Sequence, residues 1–215
     1  MQLKSNKKYT AAFVVFLIVF GLAALSFKIL GTYLDENINT IIHRLFILFS
    51  AILLINRFNK RNIQENNLNN LSSFDFLLIA FVAILFLLNN IFSKKLGVNF
   101  DYNSIWIFSL VKLTISSIAE EFFYRGFIQT YINEGQDDAK FKISKGNLFA
   151  TVLMTITHFG FFLIMTPSFA IISLILVVIF SLTAGYLKEK TNGLVIPITF
   201  HLTINGLHLI IQTIN

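Results

Sequence analysis

Long apolar stretches separated by short polar segments dominate the chain. A helix of roughly 20 apolar residues crosses a bilayer core of about 30 Å, and seven stretches approach that length. Continuous runs favour helices over the alternating strands of a membrane barrel. The pattern predicts an all-α polytopic helix bundle with about seven transmembrane helices, of which the second is the weakest because His43 and Arg44 shorten it at its start. The predicted spans are 9–30, 40–56, 74–92, 104–132, 147–165, 168–187 and 193–214.

Composition leads to the same class of protein. Apolar residues make up 55% of the chain and charged residues 13%, against roughly 25% charged residues in soluble domains. A soluble chain of 215 residues cannot bury so much apolar surface in one core. This composition excludes a disordered chain, a secreted disulfide scaffold and a nucleic-acid-binding module. The chain has no cysteine, which excludes disulfides, thiolate nucleophiles and cysteine-based zinc sites.

The basic residues between the apolar stretches predict an orientation. Cytoplasmic loops of membrane proteins carry an excess of lysine and arginine, and here eleven of the 17 basic residues fall on one side and four on the other. We therefore expect a cytoplasmic N-terminus and an external C-terminus in a multi-pass protein of a cell membrane, with a bacterial plasma membrane as its location. The eleven are Lys4, Lys7, Lys8, Arg57, Lys60, Arg61, Lys140, Lys142, Lys145, Lys188 and Lys190.

Ionisable and strongly polar side chains interrupt three of the last four apolar stretches. Each charged group at bilayer depth costs ~2.5–3.5 kcal/mol on insertion scales, so each is a functional hypothesis by default. We therefore expect one membrane domain over 1–215, in which the helices of 9–100 carry no motif and those of 104–214 carry the chemistry. The candidate residues are Glu120, Glu121, Arg125, His158, His201 and Asn205.

Helical spacing indicates which of these side chains can meet. Glu121 and Arg125 are four residues apart and can pair along one helix face. Glu120 lies about 100° around the helix from Glu121, so it can point elsewhere and serve as a general base. His201 and Asn205 also share a face, where two hydrogen-bonding groups could stabilise an oxyanion.

Depth brings three of these residues into one layer. Counted from the predicted cytoplasmic helix ends, Glu120, His158 and His201 lie roughly 18, 16 and 12 Å deep, at 1.5 Å per residue. Two histidines and a glutamate are also a legitimate set of zinc ligands. They come from three different helices, however, and lack a His-x-x-x-His pair. We therefore favour a site without a catalytic metal or other cofactor and keep zinc as the alternative.

The order of these motifs resembles the CPBP intramembrane proteases, a family of CAAX prenyl endopeptidases and bacteriocin-processing or immunity (Abi-type) relatives. The resemblance rests on Glu-Glu-x-x-x-Arg-Gly at 120–126, a histidine in a following span, His-x-x-x-Asn at 201–205, and the approach 185–193 with Pro197. It covers about 116–206. Met154 departs from the family pattern, in which an aromatic residue usually stands four positions before the histidine of the second motif.

The resemblance implies hydrolysis of a peptide bond inside the membrane. Carried over by position, Glu120 would activate a water molecule and His158 would help to hold it. His201 and Asn205 would stabilise the tetrahedral oxyanion. The implied substrate is a membrane-associated peptide or protein within the lipid bilayer, not a nucleic acid.

The same resemblance implies that Glu121 and Arg125 form a supporting pair that fixes the helix and tunes Glu120. Two other classes of function remain open from the sequence. A non-catalytic scaffold or bacteriocin self-immunity factor could use the polar cluster for binding. A proton-coupled transporter is disfavoured because inverted repeats and paired broken helices are not apparent in the sequence.

Overall fold

The computed structural model describes residues 2–58, 66–95, 106–134 and 143–213, and these segments fold as helices joined by turns. The predicted all-α bundle is confirmed. A short 3₁₀ turn (Leu68–Asn70) precedes α3, and a π-helical segment (Phe122–Gln129) joins α4 to α5. The α-helices are α1 (Gln2–Leu30), α2 (Glu36–Phe58), α3 (Ser73–Lys95), α4 (Trp106–Glu121), α5 (Thr130–Asn133), α6 (Lys145–Thr157), α7 (Phe161–Ile164), α8 (Pro167–Thr191) and α9 (Val195–Thr213).

Six helical segments of the described chain are long and apolar enough to cross a membrane. They are α1, α2, α3, the segment Lys145–Ile164, α8 and α9. The helix of 36–58 is continuous and begins before His43 and Arg44, so these residues do not shorten the second predicted span. The remaining predicted span is the helix formed by α4, the π segment and α5, which carries four charged residues. The chain is a multi-pass membrane protein, and its orientation stays a prediction.

The fourth predicted span departs from regular α-helical geometry immediately after the two glutamates. The eight residues of the π segment follow Glu121 without a break, and both flanking residues keep right-handed helical backbone angles. Thr130 Oγ1 donates to the carbonyl of Arg125, five residues earlier, at 2.9 Å. Such segments are uncommon and frequently mark functional sites. Their wider turn shifts side chains around the axis relative to the spacing that the sequence pattern assumes.

The fifth predicted span, 147–165, is interrupted in its middle, which corrects the expectation of one continuous helix. α6 ends at Thr157, and His158 follows with φ −93° and ψ 2°. The carbonyl of Met154 accepts from Thr157 Oγ1 and lies 2.8 Å from His158 Nδ1, while the His158 amide bonds to Thr155 instead. Side-chain bonds of this kind compete with the helical ladder. Irregular backbone at membrane depth is tolerated where it lines a cavity.

The π segment occupies the centre of the bundle. Residues 123–129 are all buried, and Arg125, Tyr124 and Phe123 are the largest fully buried side chains. α2 and α6 pack against this segment, and α4 packs against α2 and α9. α8 packs against α6, α3 and α9. Large apolar side chains exposed on the outer faces, such as Leu17, Leu53 and Leu77, suit contact with lipid tails.

A close approach of α6 and α8 fixes the helix that leads to His158. A Cβ added at Gly185 would collide with the side chain of Asn147, and one at Gly146 would collide with Asn133. Asn147 Nδ2 donates to the carbonyl of Leu182 at 3.0 Å. Gly185 therefore lets α8 approach Asn147 of α6, and Gly146 lets α6 approach Asn133 of α5.

A buried carboxylate fastens the start of α3 to the end of α8. Asp75 is fully buried and accepts from Lys190 Nζ at 2.5 Å and Tyr186 OH at 2.9 Å. It also accepts from the backbone amide and the hydroxyl of Ser72, each at 2.6 Å. Every bond is directed at an ionised acceptor, which is the stronger kind of hydrogen bond.

Replacing Asp75 should therefore destabilise the bundle. We expect Asp75→Ala to lower the free energy of unfolding by roughly 3 kcal/mol, because it removes four hydrogen bonds that a buried carboxylate accepts. The control is Asp35→Ala, since Asp35 is an exposed residue ahead of α2 whose side chain accepts only from the amide of Asn37 among the bonds described. That change should cost about 1 kcal/mol. Thermal denaturation in detergent measures both, and equal midpoints would contradict the prediction.

Candidate active site

A cavity of about 380 Å³ lies among α2, α3, α4, α6, α8 and α9. Four of the six candidate residues line it, namely Glu120, His158, His201 and Asn205. The other two, Glu121 and Arg125, have fully buried side chains behind its wall. The structure therefore brings together the three residues whose depths converge in the sequence.

Glu121 connects two of the candidate residues. Its Oε2 lies 3.5 Å from Arg125 Nε within the helix, as the four-residue spacing predicts, and its Oε1 lies 2.9 Å from His201 Nδ1 on α9. Arg125 also donates to the carbonyl and hydroxyl of Ser181 on α8, at 3.1 and 2.9 Å. The buried pair thus extends into a network that links α4, the π segment, α8 and α9.

This network determines the state of the His201 ring. A carboxylate accepts hydrogen bonds, so Nδ1 must carry a proton where it meets Glu121. Nε2 is then the ring nitrogen that can contact a water molecule or a substrate, and it lies 4.0 Å from Glu120 Oε2. A water molecule can bridge polar atoms at such a separation. Sequence spacing predicts that Glu121 pairs with Arg125; in the structure it also orients His201.

Sequence reasoning missed Arg44 as part of the site. Its Nη1 lies 3.1 Å from Glu120 Oε1, and both side chains border the cavity. Spacing gave no reason to place α2 beside α4, and the sequence indicated only that Arg44 weakens the second predicted span. The available signal was its charge within an apolar stretch, the same criterion that selected Glu120. Arg44 compensates the charge of this carboxylate and fixes one of its oxygens.

His158 is held by the interruption of the fifth span. Its Nδ1 lies 2.8 Å from the carbonyl of Met154, so Nδ1 carries the proton and Nε2 is free to accept in the neutral ring. The ring also packs edge-on against Phe161 at 5.4 Å between centroids. Met154, where the family pattern has an aromatic residue, is buried with its sulfur 3.5 Å from Arg125 Nη2.

Asn205 is positioned by α4. Its Nδ2 donates to Ser117 Oγ at 2.9 Å, and that hydroxyl donates in turn to the carbonyl of Leu113. An amide NH₂ has two hydrogens, so one remains for a ligand in the cavity. His201 and Asn205 both line the cavity from the same face of α9, as their spacing predicts.

The same side chains do not form a zinc site in the described part of the chain. No group of three or more histidine, aspartate or glutamate side chains there is placed to hold a metal ion. Glu120, His158 and His201, the alternative ligand set, do not form such a group in this arrangement.

Comparison with known proteins gives one match. The family model described as type II CAAX prenyl endopeptidase, Rce1-like, matches residues 102–207. These residues include all six candidate residues, and the match leaves α1 to α3 outside. Neither the curated proteins nor the solved structures gave a match.

Replacing Arg125 should destabilise the fold, because the Glu121 carboxylate is then buried without its cation. We expect Arg125→Met to lower the free energy of unfolding by about 3–5 kcal/mol, because Glu121 is left buried without its arginine. The double variant Glu121→Gln with Arg125→Met should recover part of this loss.

Thermal denaturation in detergent tests the pair, with Arg57→Met as the matched control because Arg57 is exposed at the end of α2. A wild-type midpoint for Arg125→Met, or a double variant no more stable than the single one, would contradict a buried ion pair.

Proposed function

The chain belongs to the CPBP family, with an Rce1-like type II CAAX prenyl endopeptidase segment, and from this premise we propose that it hydrolyses a peptide bond in membrane-associated peptides or proteins. The proposal rests above all on one observation. Glu120, His158, His201 and Asn205 border a single cavity within a membrane-spanning bundle. Such a cavity can hold the scissile segment and the water that attacks it.

Glu120 is the general base of the proposed reaction. Arg44 holds its Oε1, which leaves Oε2 as the oxygen nearer to His201. A water molecule bound to Oε2 would lose a proton to Glu120 as its oxygen attacks the scissile carbonyl carbon. The neutral His158 ring can accept the second hydrogen of that water through Nε2, which orients the water for attack.

His201 and Asn205 stabilise the charge that develops on the carbonyl oxygen. Asn205 offers its second amide hydrogen. His201 donates through Nε2 when its ring carries a proton on both nitrogens, while Nδ1 keeps its bond to Glu121. Donors that are fixed before the reaction stabilise the oxyanion without reorganisation.

The remaining step returns the proton. Collapse of the tetrahedral intermediate breaks the carbon–nitrogen bond, and the proton taken by Glu120 passes to the leaving amine. The products are a carboxylic acid and an amine, and Glu120 is ionised again. No group other than the peptide and one water is consumed.

A series of substitutions tests these roles. Glu120→Gln keeps the shape of the side chain and removes the base, so we expect loss of cleavage with normal folding. His158→Ala and His201→Ala should also reduce cleavage severely. Asn205→Ala should lower kcat by roughly 10²–10³-fold, the usual effect of losing one oxyanion donor.

Cleavage is measured by mass spectrometry on the purified protein in liposomes. The probes are a prenylated peptide with a CAAX terminus, which the family description names, and a panel of amphipathic peptides. Glu134→Gln is the control, because the Glu134 carboxylate lies outside the cavity and 3.9 Å from Lys8 Nζ, a loose pair. Full activity in Glu120→Gln would refute the glutamate base, and peptide binding without cleavage by the wild type would favour the scaffold or immunity function.

Arg44 is a positioning residue in this proposal, because it acts on the substrate through Glu120. It comes from α2, outside the segment that the family model matches. We expect Arg44→Met to lower kcat roughly 10²-fold with little change in KM, the typical cost of a misplaced catalytic group. Arg44→Lys should retain more activity.

Steady-state kinetics with the same probes measures this split between kcat and KM, and Arg57→Met on the same helix is the control. A change confined to KM would instead place Arg44 in substrate binding.

A further inference from the structure

The cavity has a second polar end that the proposed reaction does not use. Asn89, Asn90 and Ser93 of α3 line it together with His208 of α9. Apolar side chains, Phe86 among them, also line the cavity. Burying a polar side chain at membrane depth costs free energy unless the side chain forms hydrogen bonds. The presence of such side chains in the cavity wall therefore suggests that a ligand binds there.

Asn90 is the residue that indicates a ligand at this end of the cavity. It is only 5% exposed, and its Oδ1 lies 2.7 Å from His208 Nδ1. Its Nδ2 is buried and has no hydrogen-bond partner among the residues that the structure describes. The bond to His208 fixes the amide so that Nδ2 cannot turn away to find another acceptor. The site therefore presents a fixed, unused donor.

Helical spacing relates this donor to the candidate catalytic residues. His201, Asn205 and His208 follow one another at steps of four and three residues and line the cavity from one face of α9. His201 and His208 are thus about 10.5 Å apart along the axis, at 1.5 Å per residue. An extended peptide rises about 3.3 Å per residue. That distance corresponds to about three residues of extended substrate.

We propose that Asn90, oriented by His208, binds a main-chain carbonyl oxygen of the substrate about three residues from the cleaved bond. The inference rests on the proposed function, since it defines a subsite of the same cavity. A peptide must be unwound for its scissile carbonyl to be attacked, and unwound backbone groups inside a membrane require new partners. Asn90 supplies one such partner and so favours substrates that enter the cavity in an extended form.

The test is a scan of the substrate backbone. The protein is Glu120→Gln in liposomes, and the probe is the prenylated CAAX peptide. At each backbone bond in turn, an alkene replaces the amide and removes its carbonyl, while an ester at the same bond keeps the carbonyl as the matched control. At one bond, about three residues from the cleavage site, we expect the alkene to weaken binding roughly three- to ten-fold more than the ester.

The same scan on Glu120→Gln with Asn90→Leu should show no loss at that bond. Asn39→Leu is the matched protein control, because Asn39 is a buried amide that bonds to the carbonyl of Phe27 and does not line the cavity. An unchanged scan in the Asn90→Leu protein would overturn the proposal. If Asn90→Leu fails to fold, a scan on Glu120→Gln alone without any sensitive bond would also overturn it.

Kinetics separate this inference from the proposed function. In a protein that keeps Glu120, Asn90→Leu should raise KM by a similar factor and leave kcat nearly unchanged, because Asn90 is far from the attacked carbonyl. Binding to the Glu120→Gln protein does not depend on cleavage. Failure of the wild type to cleave would therefore refute the protease, while a sensitive bond whose sensitivity is lost in Asn90→Leu would still support the subsite.

Discussion

The buried contact between Glu121 and Arg125 is the interaction on which the rest of the site depends. Both side chains are fully buried, so neither charge can rely on water. Each therefore takes further partners, His201 for the glutamate and Ser181 for the arginine. A charge placed in an apolar interior recruits neighbours from adjacent helices, and here that demand draws α8 and α9 against the helix that carries Glu120.

The hydrophobic pattern was sufficient to predict the helical segments. In lipid each span must form its backbone hydrogen bonds within itself, and a helix does so. The pattern was insufficient for the irregularities of these segments. The break at His158 depends on which donor reaches the carbonyl of Met154, a competition among a few local bonds. The π segment after Glu121 depends on packing from several directions. Apolar periodicity carries neither kind of information.

For the candidate site, contacts within one helix were predictable and contacts between helices were not. The pairing of Glu121 with Arg125 followed from a four-residue spacing, and the shared face of His201 and Asn205 did so too. The contacts of Arg44 with Glu120 and of Ser117 with Asn205 join residues that are distant in sequence. Only the packing of α2 and α9 on α4 brings them together.

The origin of Arg44 limits how the chain can be divided. The family model matches only residues 102–207. The cation that holds Glu120 comes from α2, outside that segment. A chimera that joins this segment to the first three helices of another protein would need a basic side chain at the same level of its second helix. The part of the chain that lacks recognisable motifs is therefore not an exchangeable anchor.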